Sequence, residues 1–423
     1  MAFEKLFEPI KIGSLEIRNR YAYAPANTFE SWQGIINEQE IAYYTARAMG
    51  GTGMVIVGAY LSTKFGVPYT QHPWMYCFDI THLTGLAPLA ENIRLAGAAA
   101  IIQLLPVPSS LGQNWSGIQP VAPSAVEHIR PRGWLHPTFS KVIQQRMPTS
   151  VLLRTMGAGA SNSVPREITL DEIQTVIKEN TLACRLAAMA GFDGIELHMC
   201  HSYMVDEFRH PLMNKRTDRY GGSEENRNRL LLELAEYGIH AAKEENPNIA
   251  VGIRMGCACG EGGYDFEETK RLALQMQELG IEYFHVTYAE MGPAPHSVPF
   301  QDGILLQFGR ELKKILKIPV ITSSIHDPKL AEKAVAEGQT DIVSTARCLI
   351  ADPEFVNKVK ENRLGDIIKC TDCGSCTGLL TTRLRCPHNP EVGRERYNPK
   401  YQIREGFKGA DALHPALRRK GDK

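Results

Sequence analysis

Eight short apolar runs, separated by stretches of helical period, constrain the fold of this chain more than any other feature. They are Tyr21 to Ala26, Met54 to Tyr60, Ala98 to Leu105, Phe192 to His198, Ile249 to Met255, Tyr283 to Tyr288, Pro319 to Ser324 and Asp341 to Arg347. Most gaps carry amphipathic segments rich in Ala, Glu, Lys and Leu, such as Phe266 to Leu279 and Lys329 to Ala336. Strand alternating with helix implies a parallel sheet, and eight repeats imply an α/β protein built as a closed (β/α)8 TIM barrel, here over residues 1–365. One gap departs from this rhythm. Between Leu105 and Thr169 lie about sixty residues rich in Pro, Gly, Ser and Arg, too many for an ordinary connection, so an insertion over 106–165 is expected to act as a lid or to shape a substrate pocket. Thr169 to Glu172 then reads as a capping box for the next helix.

The chain has 423 residues, enough for one large barrel with an appendage. Its 47 basic and 47 acidic residues cancel, which argues against a nucleic-acid or anionic-membrane surface. The opening MAFEKLFEPIKIG is charged where a signal peptide is apolar, and no apolar run approaches a membrane span, so a cytoplasmic protein is expected. In that compartment the ten cysteines read as thiols or metal ligands rather than as disulfides.

Chemistry is concentrated from Gly191 to Arg229. A short buried strand ends at Leu197 and releases His198, His201 and Tyr203, which can donate hydrogen bonds or protons at a strand's C-terminal end. A single histidine or tyrosine there is more often a packing residue; three together favour a site. This H-x-x-H-x-Y, followed by R-T-D-x-Y-G-G-S-x-E-N-R, resembles the old yellow enzyme family of flavin oxidoreductases. The resemblance implies that His198 and His201 bind a substrate carbonyl and that Tyr203 supplies a proton. It also implies FMN across the barrel mouth. Pro25 and Ala26 would lie along the ring, Ala59 and Gln103 would contact it, and Arg254 would sit beside its N1 and C2 carbonyl. Gln103 can both donate and accept, which suits the alternating polar edge of the pyrimidine. Ser323, Ser324, Ala346 and Arg347 match the phosphate site, with Arg347 as the ligand. Two departures stand out. Ser323-Ser324-Ile325 replaces the usual arginine after strand seven, which leaves more of the phosphate to Arg347, and Pro106 replaces a histidine beside the ring.

Cys370-x2-Cys373-x2-Cys376-x9-Cys386 supplies four thiolates, a spacing that by itself divides between zinc and a [4Fe–4S] cluster. The run Cys386-Pro-His-Asn389-Pro390-Glu-Val-Gly393-Arg394-Glu395 resembles the motif that closes the cluster in the branch holding 2,4-dienoyl-CoA reductase and trimethylamine dehydrogenase. That resemblance implies a [4Fe–4S] segment over 366–396, followed by a polar tail over 397–423. Relatives continue into FAD- and NAD(P)H-binding modules. No G-x-G-x-x-G follows a strand here, so the reductant is expected either from NAD(P)H binding directly over the flavin or from a separate electron-donor protein feeding the cluster. The latter is favoured, because a one-electron relay has little use when a hydride donor meets the flavin itself. Cys77, Cys184, Cys200, Cys257, Cys259 and Cys348 read as buried thiols.

The expected activity is an FMN- and [4Fe–4S]-dependent ene-reductase acting on an activated C=C of a small unsaturated carbonyl, acid or thioester. Self-association is left open. Two rivals exist: an amine dehydrogenase of the trimethylamine type, whose relatives carry tyrosine at the position of His198, and a barrel that has lost turnover and serves as an electron-transfer subunit.

Overall fold

All eight apolar runs form strands. The computed structural model describes residues 3–28, 30–31, 33–70, 74–108, 118–126, 164–259, 262–287, 301–373, 376 and 384–402. The barrel strands are β1 (Tyr21–Tyr23), β2 (Met54–Leu61), β3 (Ala99–Leu105), β4 (Gly194–Met199), β5 (Ala250–Gly256), β6 (Tyr283–Thr287), β7 (Val320–Ser323) and β8 (Ile342–Thr345). Each pairs in parallel with the next, and β8 closes on β1 through Val343 opposite Tyr21. Every strand is buried along its length because helices cover the outside and side chains fill the inside, which is why the strands read as unbroken apolar runs.

The helices start where the sequence offers a cap. Asn37 accepts from the backbone N–H of Gln39 and Glu40 at 3.0 and 3.1 Å to begin Glu38–Met49. Thr169 and Glu172 form the expected reciprocal box at the head of Leu170–Met189. Phe266–Leu279 opens on Asp265 and stops at Gly280, whose φ of +104° a side chain would resist.

A hairpin, Ile10–Ile12 against Leu15–Ile17, plugs the lower end of the barrel. Ile12 and Ile17 close over Ala22, Met54, Ile56, Ile101, Tyr283, Ile321 and Ile342. Burying an Ile or Leu side chain is worth about 1.5–3 kcal/mol, so this layer contributes stability without polar chemistry. Of the 106–165 insertion, Val121–Ala122 pairs in parallel with Arg166–Glu167; most of the rest lies outside the described residues.

The chain after β8 returns over the outside of the barrel. Glu395 is buried against Arg47, Nη1 to Oε1 at 3.0 Å, and also accepts from Gln39 Nε2 and the Gly393 N–H. Asn389 Nδ2 bonds the Ile350 carbonyl at 3.0 Å. Asn389 and Glu395 of the C-terminal motif are therefore anchors that dock this segment on the barrel and on helix Glu38–Met49, and Gly393 holds the Glu395 carboxylate in place. The sequence reading begins a polar tail at 397; Tyr401 is instead buried, and the stretch beyond 402 lies outside the described residues.

Candidate active site at the strand ends

Side chains two residues apart on a strand share a face, so each strand carries its interior residues upward in steps. Above the apolar floor, β3, β4, β6, β7 and β8 present Gln103, Glu196, His285, Ser323 and Ser344. These form one buried network. Gln103 Nε2 donates to Glu196 Oε1 at 2.7 Å, Glu196 Oε2 meets His285 Nδ1 at 2.7 Å, and His285 Nε2 meets the hydroxyls of Ser344 and Ser323, each at 2.8 Å. Burial lowers the His285 pKa, against the pull of Glu196. Gln103 and Ser323, two of the residues matched to the flavin site, thus have side chains engaged inside the barrel.

One step higher on β4 and β6 stand His198 and Thr287. The loop after β4 bends back sharply. His201 and Ser202 both adopt positive φ, +63° and +57°, a conformation that costs about 1–3 kcal/mol per non-glycine residue and is held only by its surroundings. Asp206 provides the hold: its Oδ2 accepts from the Ser202 N–H at 3.0 Å and its Oδ1 from the Tyr264 hydroxyl at 2.7 Å. Burial raises the Asp206 carboxyl to about 6.

This turn brings His201 Nδ1 to 3.1 Å from His198 Nε2, while His201 Nε2 meets Thr287 Oγ1 at 3.0 Å. Burial, with Arg254 nearby, lowers the His198 pKa to about 3, so its imidazole is neutral at ordinary pH. Tyr203 follows, with its ring edge-on to His198 at 4.9 Å and to Trp74 at 6.1 Å between centroids. All three predicted catalytic residues come together. Cys200, within the same turn, lies with Sγ 3.5 Å from His201 Nδ1 and 3.8 Å from either ring nitrogen of His198.

Ala59, Trp74 and Leu105 form an apolar wall beside Tyr203. Ala59 follows Gly58, whose φ of +122° and close approach to the Gln103 carbonyl, 2.9 Å from any added Cβ, leave room for glycine alone. Across the mouth, Arg254 at the end of β5 is buried. Its Nε has no hydrogen-bond partner, its Nη2 has one long contact of 3.4 Å to Thr287, and no carboxylate among the described residues pairs with it. A buried cation left this way is arranged for an anion.

Just after β1, Pro25 and Ala26 are half-buried, and the Ala26 carbonyl accepts from the Tyr44 hydroxyl at 3.0 Å. Thr28 turns away from the mouth and donates to Glu40. Beyond β7, Ser324 has φ of +67°. The backbone N–H groups of His326 and Asp327 are taken by Asp302, at 2.7 and 2.8 Å. Arg347, after Ala346 at the end of β8, pairs with Asp372 at 2.6 Å. The His326 pKa is lowered to about 4, first by burial and then by Arg347. Asp372 lies between Cys370 and Cys373, so Arg347 links the mouth to the cysteine segment. Cys370, Cys373, Cys376 and Cys386 are all partly exposed. Burial pushes the Cys376 thiol up to about 12, with Cys370 adding to the shift.

Sequence reasoning missed Thr287, Trp74, Asp206 and His326. Thr287 could have been found, since it stands two positions beyond His285 at a strand end. Trp74 comes from a segment far away in the chain, Asp206 stands on the short helix Met204–Arg209 just after the turn, and no local pattern announces either.

The sequence profile of the NADH:flavin oxidoreductase / NADH oxidase family matches residues 5–366. The chain belongs to this family. It is 35% identical over 408 residues to an NADH oxidase of Thermoanaerobacter brockii, covering 93% of this chain and 57% of that protein. A cinnamate reductase of Clostridium sporogenes is 29% identical over 429 residues, covering 93% and 59%. Among solved structures, a 2-naphthoyl-CoA reductase in complex with 2-naphthoyl-CoA superposes with a TM-score of 0.80 at 29% identity, covering 94% of this chain and 58% of that one. The chain thus spans under three fifths of these relatives. The closed barrel read from sequence is the fold of this family. Among the described residues no helix is long and apolar enough to cross a membrane.

Proposed function

We propose that this family member is an FMN- and [4Fe–4S]-dependent ene-reductase that reduces an activated C=C of an α,β-unsaturated carbonyl, acid or thioester. The observation that carries the reading is the His198–His201 pair with Tyr203 packed on it, beside a buried Arg254 that no carboxylate among the described residues pairs with. Two relatives, a cinnamate reductase and a 2-naphthoyl-CoA reductase, support conjugated acids and thioesters as the substrate class.

The mouth fits FMN because Arg254 lacks an anion and Ala59, Trp74 and Leu105 offer a flat apolar wall. Pro25, Ala26, Ala59, Gln103 and Arg254 would hold the ring, and Ser323, Ser324, Ala346 and Arg347 its phosphate. Bound there, FMN supplies the hydride for the β-carbon of the substrate. The chain's own residues do the rest. A carbonyl oxygen that replaces the mutual hydrogen bond of His198 and His201 receives a donor from each, and these donors stabilise the enolate charge as it develops. Thr287 fixes the orientation of His201. The Tyr203 hydroxyl protonates the α-carbon. Cys370, Cys373, Cys376 and Cys386, four free and partly exposed thiols after β8, would hold a [4Fe–4S] cluster, which would supply electrons one at a time from a separate donor protein.

The reading is tested by purifying the protein anaerobically, measuring FMN and iron per chain, and mixing the reduced protein with cinnamate-type acids, enoyl thioesters, enones and tertiary amines. Reoxidation by the unsaturated compounds with loss of their C=C is expected. Reaction with amines alone would overturn it in favour of an amine dehydrogenase.

A further inference from the structure

The turn after β4 has a second use: we propose that His198, Cys200 and His201 form a three-ligand site for a soft divalent cation of the zinc class, with the fourth position open to the mouth. Their donor atoms all lie within 4.8 Å of one another, and among the described residues this is the one such group of His, Cys, Asp and Glu. The shape is as informative as the proximity. The triangle has edges of 3.1 Å between the two imidazole nitrogens and 3.5 and 3.8 Å from Sγ to each. Zn–N bonds of about 2.0–2.1 Å and Zn–S bonds of about 2.3 Å at tetrahedral angles require edges of about 3.3–3.6 Å. The three donors already stand close to one face of that tetrahedron.

The surroundings supply what such a site needs besides ligands. In the tautomer protonated at Nε2, His201 donates to Thr287 Oγ1, 3.0 Å away, which leaves Nδ1 with its lone pair for the ion. The left-handed pair His201 and Ser202, held by Asp206, fixes the turn before any ion arrives. Cys200 is fully buried, so its thiolate would be shielded from water. Binding balances as Zn²⁺ displacing the thiol proton of Cys200 to solvent, while the imidazole whose N–H lies between the two rings shifts that proton to its other nitrogen. The thiolate offsets one of the two charges, which matters because Arg254 stands opposite His198 on the neighbouring strand.

Three protein ligands and one open position characterise catalytic rather than structural zinc sites. Here occupancy takes both imidazoles away from the substrate carbonyl; this consequence rests on the proposed function, whereas the binding itself does not. The prediction is a metal-gated mouth, closed by zinc and reopened by a chelator.

The test uses the FMN- and iron-loaded protein under anaerobic conditions, titrated with zinc sulfate against a chromophoric chelator, with zinc counted per chain and its ligand shell read by X-ray absorption at the zinc edge. One zinc per chain beyond the iron is expected, in a shell of one sulfur, two imidazole nitrogens and one oxygen. Cys200→Ser and Cys200→Ala should each weaken binding roughly tenfold or more, with FMN and iron content as the check on folding. A shell of sulfur alone would place the ion on the four C-terminal cysteines and overturn the proposal. So would the absence of an extra zinc, or wild-type zinc affinity in both variants. If zinc binds as described while unsaturated substrates go unreduced, the proposed function fails and this site stands.

Discussion

At the lower end of the barrel, β3, β6, β7 and β8 point Ile101, Tyr283, Ile321 and Ile342 inward under the Ile12–Ile17 plug. Two residues further along, the same strands point Gln103, His285, Ser323 and Ser344 inward, and β4 adds Glu196 and then His198. The lower layer gains from burial and asks nothing of geometry. The upper layers bury groups that each need a partner, and where the partner is missing, as at Arg254, or the backbone is left-handed, as at His201 and Ser202, the structure is arranged for a bound molecule. Height along a strand, rather than residue composition, divides stability from chemistry.

The sharpest way to break this division is at its top. His198→Ala removes one of two donors to the carbonyl, and reoxidation of the reduced protein by a C=C should slow by about 10²–10³-fold, with the melting temperature little changed. Stopped-flow absorbance and calorimetry measure the two. At the bottom the reverse is expected. Ile101→Ala should cost about 2–5 kcal/mol in denaturant unfolding while turnover per bound flavin stays at the wild-type value.

A pH series then compares buried acids and bases. Glu40, fully buried with Thr28 and Tyr60 as hydrogen-bond donors, has its pKa raised from 4.5 to about 7, chiefly by burial. The folded state therefore holds a proton that the unfolded chain releases. That contribution is complete below pH 4.5 and is lost as pH rises through about 7. Glu40→Gln should flatten this loss, a change of about 3 kcal/mol between the ends of the window at 1.36 kcal/mol per pKa unit. His198 works in the opposite sense. Its pKa is lowered from 6.5 to about 3, so stability falls as pH drops through that range. The smallest effect is expected from Thr287→Val, which removes the partner of His201 and should slow reoxidation about tenfold, the worth of one hydrogen bond of about 1.4 kcal/mol.

Much of this was legible in the sequence because a parallel barrel makes its strands into plain apolar runs and its strand ends into a register of candidate residues. The eight runs, the Thr169 cap, and His198, His201 and Tyr203 at one strand end all follow from local pattern. What local pattern does not carry is which way a side chain is committed once the barrel closes. Gln103 and Ser323 were matched to a cofactor by position, yet Glu196 and His285 engage them from other strands. Arg347 reads as a phosphate ligand, and Asp372, brought back by the cysteine segment, is its partner. Glu395 reads as the close of the cluster motif, and only the fold reveals Arg47 waiting for it.

The central claim is that the β4 turn delivers carbonyl donors and a proton to a substrate reduced at the barrel mouth. The most direct test is Tyr203→Phe, studied as two half-reactions in the FMN-loaded protein. The account predicts that flavin reduction proceeds at the wild-type rate while reoxidation by an α,β-unsaturated thioester or acid slows by about 10²–10⁴-fold. Reoxidation at the wild-type rate, with the C=C fully reduced, would contradict it.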